Sequence, residues 1–260
     1  MLKNKCSLIT GSTSGIGLGI AKSLAAQGCN IVLNGFGPPD QIEQIRSSVA
    51  NEFSVKVHYS AADMSKPDQI RAMIREADSL FGGVDILVNN AGIQNVAPIE
   101  EFADEKWDAI IAINLSSNFH TTKAVLPLMK KKNWGRIINL ASVHGMVASP
   151  FKSAYVAAKH GVLGLTKTTA LEVVDFNITC NAICPGYVLT PLVEGQIDQQ
   201  AKAHHLPREK VISDVILASQ PKKSFVKVEA LGALAVFLCS DSASSMTGAT
   251  LPVDGAWTAR

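Results

Sequence analysis

The chain has 260 residues, 47% of them hydrophobic and 18% charged, with a formal net charge of +2. This describes a folded protein with a large core and excludes the disordered and fibrous classes. The charge is nearly balanced, and the one basic run, 130–132, reads as a helix end, so no nucleic-acid or membrane-surface partner is expected.

The start MLKNKCSLIT turns apolar too soon and too briefly for a signal peptide. The first strand, 6–10, runs into TGSTSGIG (10–17) and a helix over 15–28. Gly11, Gly15 and Gly17 allow a tight turn and close backbone approach, so the unpaired N–H groups opening the helix can meet a pyrophosphate. The spacing GxxxGxG differs from GxGxxG, but its place between strand and helix points to dinucleotide binding. The second strand, 30–35, ends in LNGFGPPD with no Arg or Lys from Asn34 to Asp40, and Ser14 stands in the glycine loop where a cation would help. A 2′-phosphate finds no partner there, which favours NAD, with Asn34 a weaker ribose ligand than a carboxylate. After a helix over 40–52, the third strand, 55–63, ends at Asp63. That residue either accepts from the adenine amino group or caps the next helix, 67–81.

The fourth strand, 84–92, closes on NNAG, and a long helix, 104–131, carries Asn114. The fifth strand, 135–142, ends at Ser142, and the helix over 153–174 carries SAYVAAK. The sixth strand, 177–186, ends in PG, and residues 189–226, with Pro191, Pro207 and Pro221, interrupt the rhythm before a helix at 228–240 and a last strand at 249–255. A connection of that length at a strand end is either a substrate lid or a surface insertion. The apolar run 230–239 is about half the length a bilayer requires. Five cysteines without a CxxC fit reduced thiols in a cytoplasmic protein. Strands rich in Val, Ile and Leu that do not alternate belong to a parallel sheet buried on both faces. The expected fold is α/β: a Rossmann-like doubly wound parallel sheet of about seven strands, helices on both faces and a small helical lid, in a single domain over 1–260.

Tyr155 and Lys159 lie four residues apart, about one helical turn, and project from the same face. A positive charge beside a phenol of ordinary pKa about 10 favours the phenolate and makes proton exchange near neutral pH accessible. Together, the glycine turn, NNAG, Asn114, Ser142, Tyr155, Lys159 and PG resemble the short-chain dehydrogenase/reductase family over essentially the whole chain. The resemblance implies Tyr155 as general base or acid, Ser142 as hydrogen-bond donor to the reacting oxygen, Lys159 on the nicotinamide ribose and Asn114 anchoring a relay water. It also implies NAD contacts from Gly11, Thr13, Ser14, Gly15, Ile16 and Gly17 in the turn, and from Asn34, Phe36 and Asp63. Further contacts fall to Asn90, Ala91 and Gly92, and to Pro185, Gly186, Val188 and Thr190.

Gln94, His144, Lys152 and Gln196 are polar groups able to converge on a small anion, the lysine and an imidazolium by charge and the glutamines by N–H donation. With NGFG, NNAGIQ, SAYVAAKHG and GAWTAR, they resemble the bacterial D-3-hydroxybutyrate dehydrogenases within the family. That likeness implies a small hydroxy or keto acid as substrate, with Trp257 covering its methyl end and Tyr187 also among the substrate-binding residues, and a homotetramer built on the helices at 104–131 and 153–174. Tyr187 stands where those enzymes commonly have Trp, SPFK is bulkier before Lys152, and Ala256 replaces a Gly. No HExxH, CxxC or carboxylate pair points to a catalytic metal. Another reductase of the family, acting on a 3-oxoacyl thioester or a sugar, and a non-catalytic dinucleotide-binding regulator are the competing readings.

Overall fold

The structure is a computed structural model describing residues 2–191, 193–195, 197, 201 and 206–259. Strands β1 (Cys6–Ile9), β2 (Asn30–Asn34), β3 (Val57–Ser60), β4 (Ile86–Asn89), β5 (Gly135–Leu140), β6 (Ile178–Pro185) and β7 (Thr250–Val253) form one sheet in the order β3-β2-β1-β4-β5-β6-β7. Every pairing is parallel.

Alternate side chains of these strands feed two separate cores, which is why the sequence shows no polar face. Ile9, Leu33, Val88, Ile138 and Ile183 pack with helices α1 (Gly15–Ala25) and α2 (Pro39–Phe53). Leu8, Val32, Leu87, Ile137 and Cys180 face α3 (Pro67–Phe81) and the pair α5 (Ser117–Lys132) and α6 (Ser153–Glu172). The last helix, α8 (Val228–Leu238), packs on the α1 side through Leu231, Ala235 and Leu238. Helices α2 and α3 begin with Pro at the first turn followed by an acidic residue, which suits both the missing N–H and the helix dipole. All five cysteines are buried and unpaired.

The chain order reverses between β1 and β4, so their carboxyl ends open a crevice. Two elements differ from the sequence reading. Strand β4 stops at Asn89, and the rest of NNAG is loop. The expected helix over 104–131 is broken: α4 (Asp104–Ile111) passes through a π-helical turn, Ala112–Ser116, into α5. Within 189–226 lie α7 (Arg208–Val211) and a satellite core of Val193, Ile197, Val211, Ile216 and Leu217. The two ends of that segment are joined by a bridge between Val188 and Val226. Among the described residues, no helix is long and apolar enough to cross a membrane.

Candidate active site

Gly11 leaves β1 in the left-handed region, φ +61°, where only glycine is unstrained. A Cβ there would stand 2.9 Å from the Ala91 backbone, and one on Gly17 would stand 2.4 Å from the Gly11 carbonyl. Two asparagines lock this close approach. Asn90 Nδ2 donates to the carbonyls of Thr10 and Gly11, at 2.9 and 2.8 Å. Asn34 Oδ1 accepts from the Gly11 N–H at 3.2 Å, and its Nδ2 donates to the carbonyls of Ser60 and Ala62 at 3.1 and 2.9 Å. The Asn34 amide, fully buried, is therefore consumed in splicing the ends of β1, β2 and β3, and is not free to hold a ribose as the sequence suggested. Asp63 accepts from the Ser65 N–H at 2.8 Å, which holds its carboxyl below the usual range.

A cleft of about 420 Å³ runs from this turn to Trp257. Of the candidate cofactor residues, Gly17 alone does not line it; it serves the packing of α1 on the turn instead. The end of the cleft formed by Thr13, Ser14, Gly35, Phe36, Asp63 and Met64 presents no cation, and the lining lysines are Lys152 and Lys159 at the other end. The residues thus fit a dinucleotide: a bare backbone cradle at a helix start, with a carboxylate and no basic group at the far end. Met64, Ile93 and Val193 also line the cleft; as isolated apolar residues they carried no sequence signal.

At the other end, Ser142 follows β5 and Tyr155 and Lys159 rise from α6. Lys159 is buried, and its Nζ donates to the Leu140 carbonyl at 2.6 Å. Burial lowers its pKa to about 8. Tyr155 lines the cleft, and burial pushes its phenol up, against the downward pull of a Ser142 hydrogen bond. The lowering that the sequence reading expected from Lys159 does not appear: burial sets the direction, and the opposing pull comes from Ser142. Asn114 sits in the π-helical turn behind the cleft, its side chain exchanging hydrogen bonds with the Ile93 backbone at 2.9 Å each way. Asn114 is fully buried and does not line the cleft, so its side chain braces the loop after NNAG.

The substrate candidates gather around Tyr155. His144 Nε2 lies 2.8 Å from Ser149 Oγ, and its ring stands edge-on to Tyr155 and Trp257, centroids 6.0 and 5.4 Å apart. Burial, then the Lys152 charge, lowers its pKa to about 4. His144 is a neutral imidazole at neutral pH, not the cation the sequence reading allowed. Trp257 stacks on Tyr187, 5.8 Å between centroids and 20° between planes. Lys152 Nζ donates to the Tyr187 hydroxyl at 3.2 Å. Its distance of 5.5 Å to the ring centre places the ammonium off the phenol edge, not over its face. Gln94 Nε2 is buried without a hydrogen-bond partner. Gln196 lies outside the described residues.

Two residues that the sequence reading passed over hold this end together. Asp254 accepts from the N–H groups of Ala256 and Thr258 and from the Thr258 hydroxyl, at 3.1, 2.9 and 2.6 Å, and so forms the turn that carries Trp257. The Asp-Gly pair at 254–255 is a turn signal. Gln220, buried beneath the PG loop, had no such signal.

The family model for short chain dehydrogenase matches residues 5–201. The chain belongs to this family. It is 57% identical to a D-beta-hydroxybutyrate dehydrogenase of Rhizobium meliloti, covering 98% of this chain and 99% of that one. It is 56% identical to a protein of the same name from Cupriavidus necator, over all of both chains. Among solved structures, an actinorhodin polyketide ketoreductase with NADPH has a TM-score of 0.92 at 31% identity, covering 99% of each chain. Levodione reductase has a TM-score of 0.91 at 32% identity, covering 100% of this chain and 99% of its own. The fold and cradle are those of a family that binds a nicotinamide dinucleotide.

Proposed function

We propose that the protein oxidises D-3-hydroxybutyrate to acetoacetate, reversibly, with NAD. The observation that carries this reading is the make-up of the cleft wall: Lys152 lines the same cleft as Ser142 and Tyr155, and Gln94 Nε2, also on that cleft, is a buried donor lacking a protein acceptor. A buried N–H without a partner is costly, and a substrate carboxylate satisfies it while pairing with the ammonium. The names of the relatives in Rhizobium meliloti and Cupriavidus necator support the same substrate.

NAD held along Gly11–Ile16, Asn90–Gly92 and Lys159 would supply the hydride acceptor for the alcohol carbon. The chain's own part is protonic and positional. In the oxidation Tyr155, as phenolate, takes the alcohol proton and becomes the phenol, while Ser142 donates a hydrogen bond to the reacting oxygen. The Lys159 ammonium, 5.6 Å from the Tyr155 ring centre, favours the phenolate that must be present beforehand. Lys152 and Gln94 hold the carboxylate, neutral His144, bonded through Nε2 to Ser149, lines the wall beside them, and the Tyr187–Trp257 stack covers the apolar end. The cation-free end of the cleft, read as the adenosine side, supports NAD over NADP. The working unit is one catalytic domain in a cytoplasmic homotetramer; Trp107 on α4, Phe119 on α5 and Leu171 on α6 are exposed apolar residues that would lie in its contacts.

The test is NAD reduction with D-3-hydroxybutyrate, L-3-hydroxybutyrate and a neutral secondary alcohol, alongside a 3-oxoacyl thioester with NADPH. D-3-hydroxybutyrate should be used far better than the others. A preference for the thioester, or for the neutral alcohol, sinks the assignment.

A further inference from the structure

We propose that Gln220 is a positioning residue for the substrate end of the cleft, holding Tyr187 and Trp257 in their stack without touching the substrate. The inference rests on the reading of that wall as the substrate's. Gln220 is 1% exposed and does not line the cleft. Its Nε2 donates to the carbonyls of Lys222 and Ser224, at 3.0 and 2.5 Å, and its Oε1 accepts from the Tyr187 N–H at 3.4 Å. The same segments are tied again by Lys222 N–H to the Gly255 carbonyl, 3.0 Å, and by Val226 N–H to the Tyr187 carbonyl, 2.8 Å. The amide therefore ties Tyr187 to the turn at Lys222 and Ser224, and that turn is tied in its own right to Gly255.

Two glycines admit that amide. A Cβ on Gly186 would stand 2.5 Å from Gln220 Oε1, and one on Gly255 would stand 2.9 Å from its Cγ and Nε2. Tyr187 follows the first glycine, and Trp257 lies two residues beyond the second. A displaced amide moves one ring relative to the other and, through the Tyr187 hydroxyl, shifts the partner of Lys152. None of Gln220's hydrogen bonds involves Ser142, Tyr155 or Lys159. Its influence falls on substrate binding and leaves the proton-transfer step alone.

The experiment compares Gln220→Glu, equal in shape but with an oxygen facing two carbonyls, and Gln220→Met, equal in bulk but without hydrogen bonds. Each should raise KM for D-3-hydroxybutyrate by about tenfold or more, with kcat changed less than about threefold and NAD affinity, which shares the Gly186 turn, weakened less than the substrate's KM. In the reductive direction, the glutamate variant should recover KM as pH falls, because a protonated carboxyl regains one donor; the methionine variant should not. An unchanged KM in the folded variants overturns the proposal, as does a parallel loss of KM, kcat and NAD affinity, or failure of both variants to fold. If the unmodified enzyme uses another alcohol and not hydroxybutyrate, the functional reading fails, and the same KM comparison is made with that alcohol.

Discussion

Tyr155 and Lys159, one turn apart on α6, are driven in opposite directions by the same desolvation, the phenol upward and the ammonium down to about 8. Each shift disfavours the charged form. Tyr155→Phe removes only the hydroxyl, so turnover should fall by more than about a hundredfold while NAD affinity, measured by titration, stays nearly intact. Lys159→Ala should damage both. Lys152 is tested by a difference: Lys152→Ala should cut kcat/KM on 3-hydroxybutyrate by about ten- to a thousandfold, the size of an unpaired buried charge, and spare a neutral secondary alcohol. Equal losses on both substrates would falsify the carboxylate role. Two residues around this site are strained: Phe151 at φ +66° and Ala256 at φ +69° occupy the left-handed region. That conformation costs a residue with a Cβ about 1–2 kcal/mol, partly offset in glycine by its larger unfolded-state entropy. Ala256→Gly should therefore raise the melting temperature by about 2 °C, and a fall would show that the Ala256 methyl contributes packing that outweighs the strain.

Cofactor choice belongs to the junction of β2 with its loop. Gly35 cannot accept a side chain: its φ is +149° and a Cβ would stand 2.7 Å from Thr13 Oγ1. Phe36 is 67% exposed on the cleft margin, so Phe36→Arg is the substitution that should improve kcat/KM with NADP relative to NAD. Comparable use of NAD and NADP by the unmodified enzyme would contradict the argument from missing cations. The order and identity of the strands and helices were legible because β1, β2, β4 and β5 are mostly apolar runs and α2 and α3 open with Pro-Asp. The break at Ala112–Ser116 was not, since inserting one residue into a helix leaves an apolar stripe nearly continuous. Likewise the glycine turn, Ser142, Tyr155 and Lys159 were readable from type and spacing, whereas the employment of Asn34 and Gln220 depends on partners far along the chain, with no local pattern. The neutrality of His144 was hidden for the same reason: sequence supplies the imidazole, and only packing supplies its desolvation.

At the scale of the whole molecule, burial of titratable groups shapes stability against pH. His144 binds its proton at about 4 in the native state and about 6.5 unfolded, so across that window the unfolded chain holds more protons and stability rises with pH. Lys159, at about 8 against about 10.4 unfolded, acts in the same sense at higher pH. The buried thiols oppose it. Cys184 is pushed to about 11 and Cys6, Cys180 and Cys239 to about 12, against about 8.5 unfolded, and Cys29 is also raised. Five groups that release protons on unfolding outweigh one that takes a proton up, so the urea midpoint should climb from about pH 4, level off near neutrality and decline above about 8.5. His144→Gln should flatten the acid limb; an unchanged limb would assign it to carboxylates elsewhere. The bridge between Val188 and Val226 brings both ends of the intervening segment side by side at the carboxyl edge of the sheet. Because loop-closure entropy grows only slowly with length, a segment anchored at neighbouring points can be lengthened, shortened or exchanged while the scaffold that cradles the dinucleotide keeps its register. The molecule is in this sense a socket with a replaceable head, in which new substrates can be explored without renegotiating the fold.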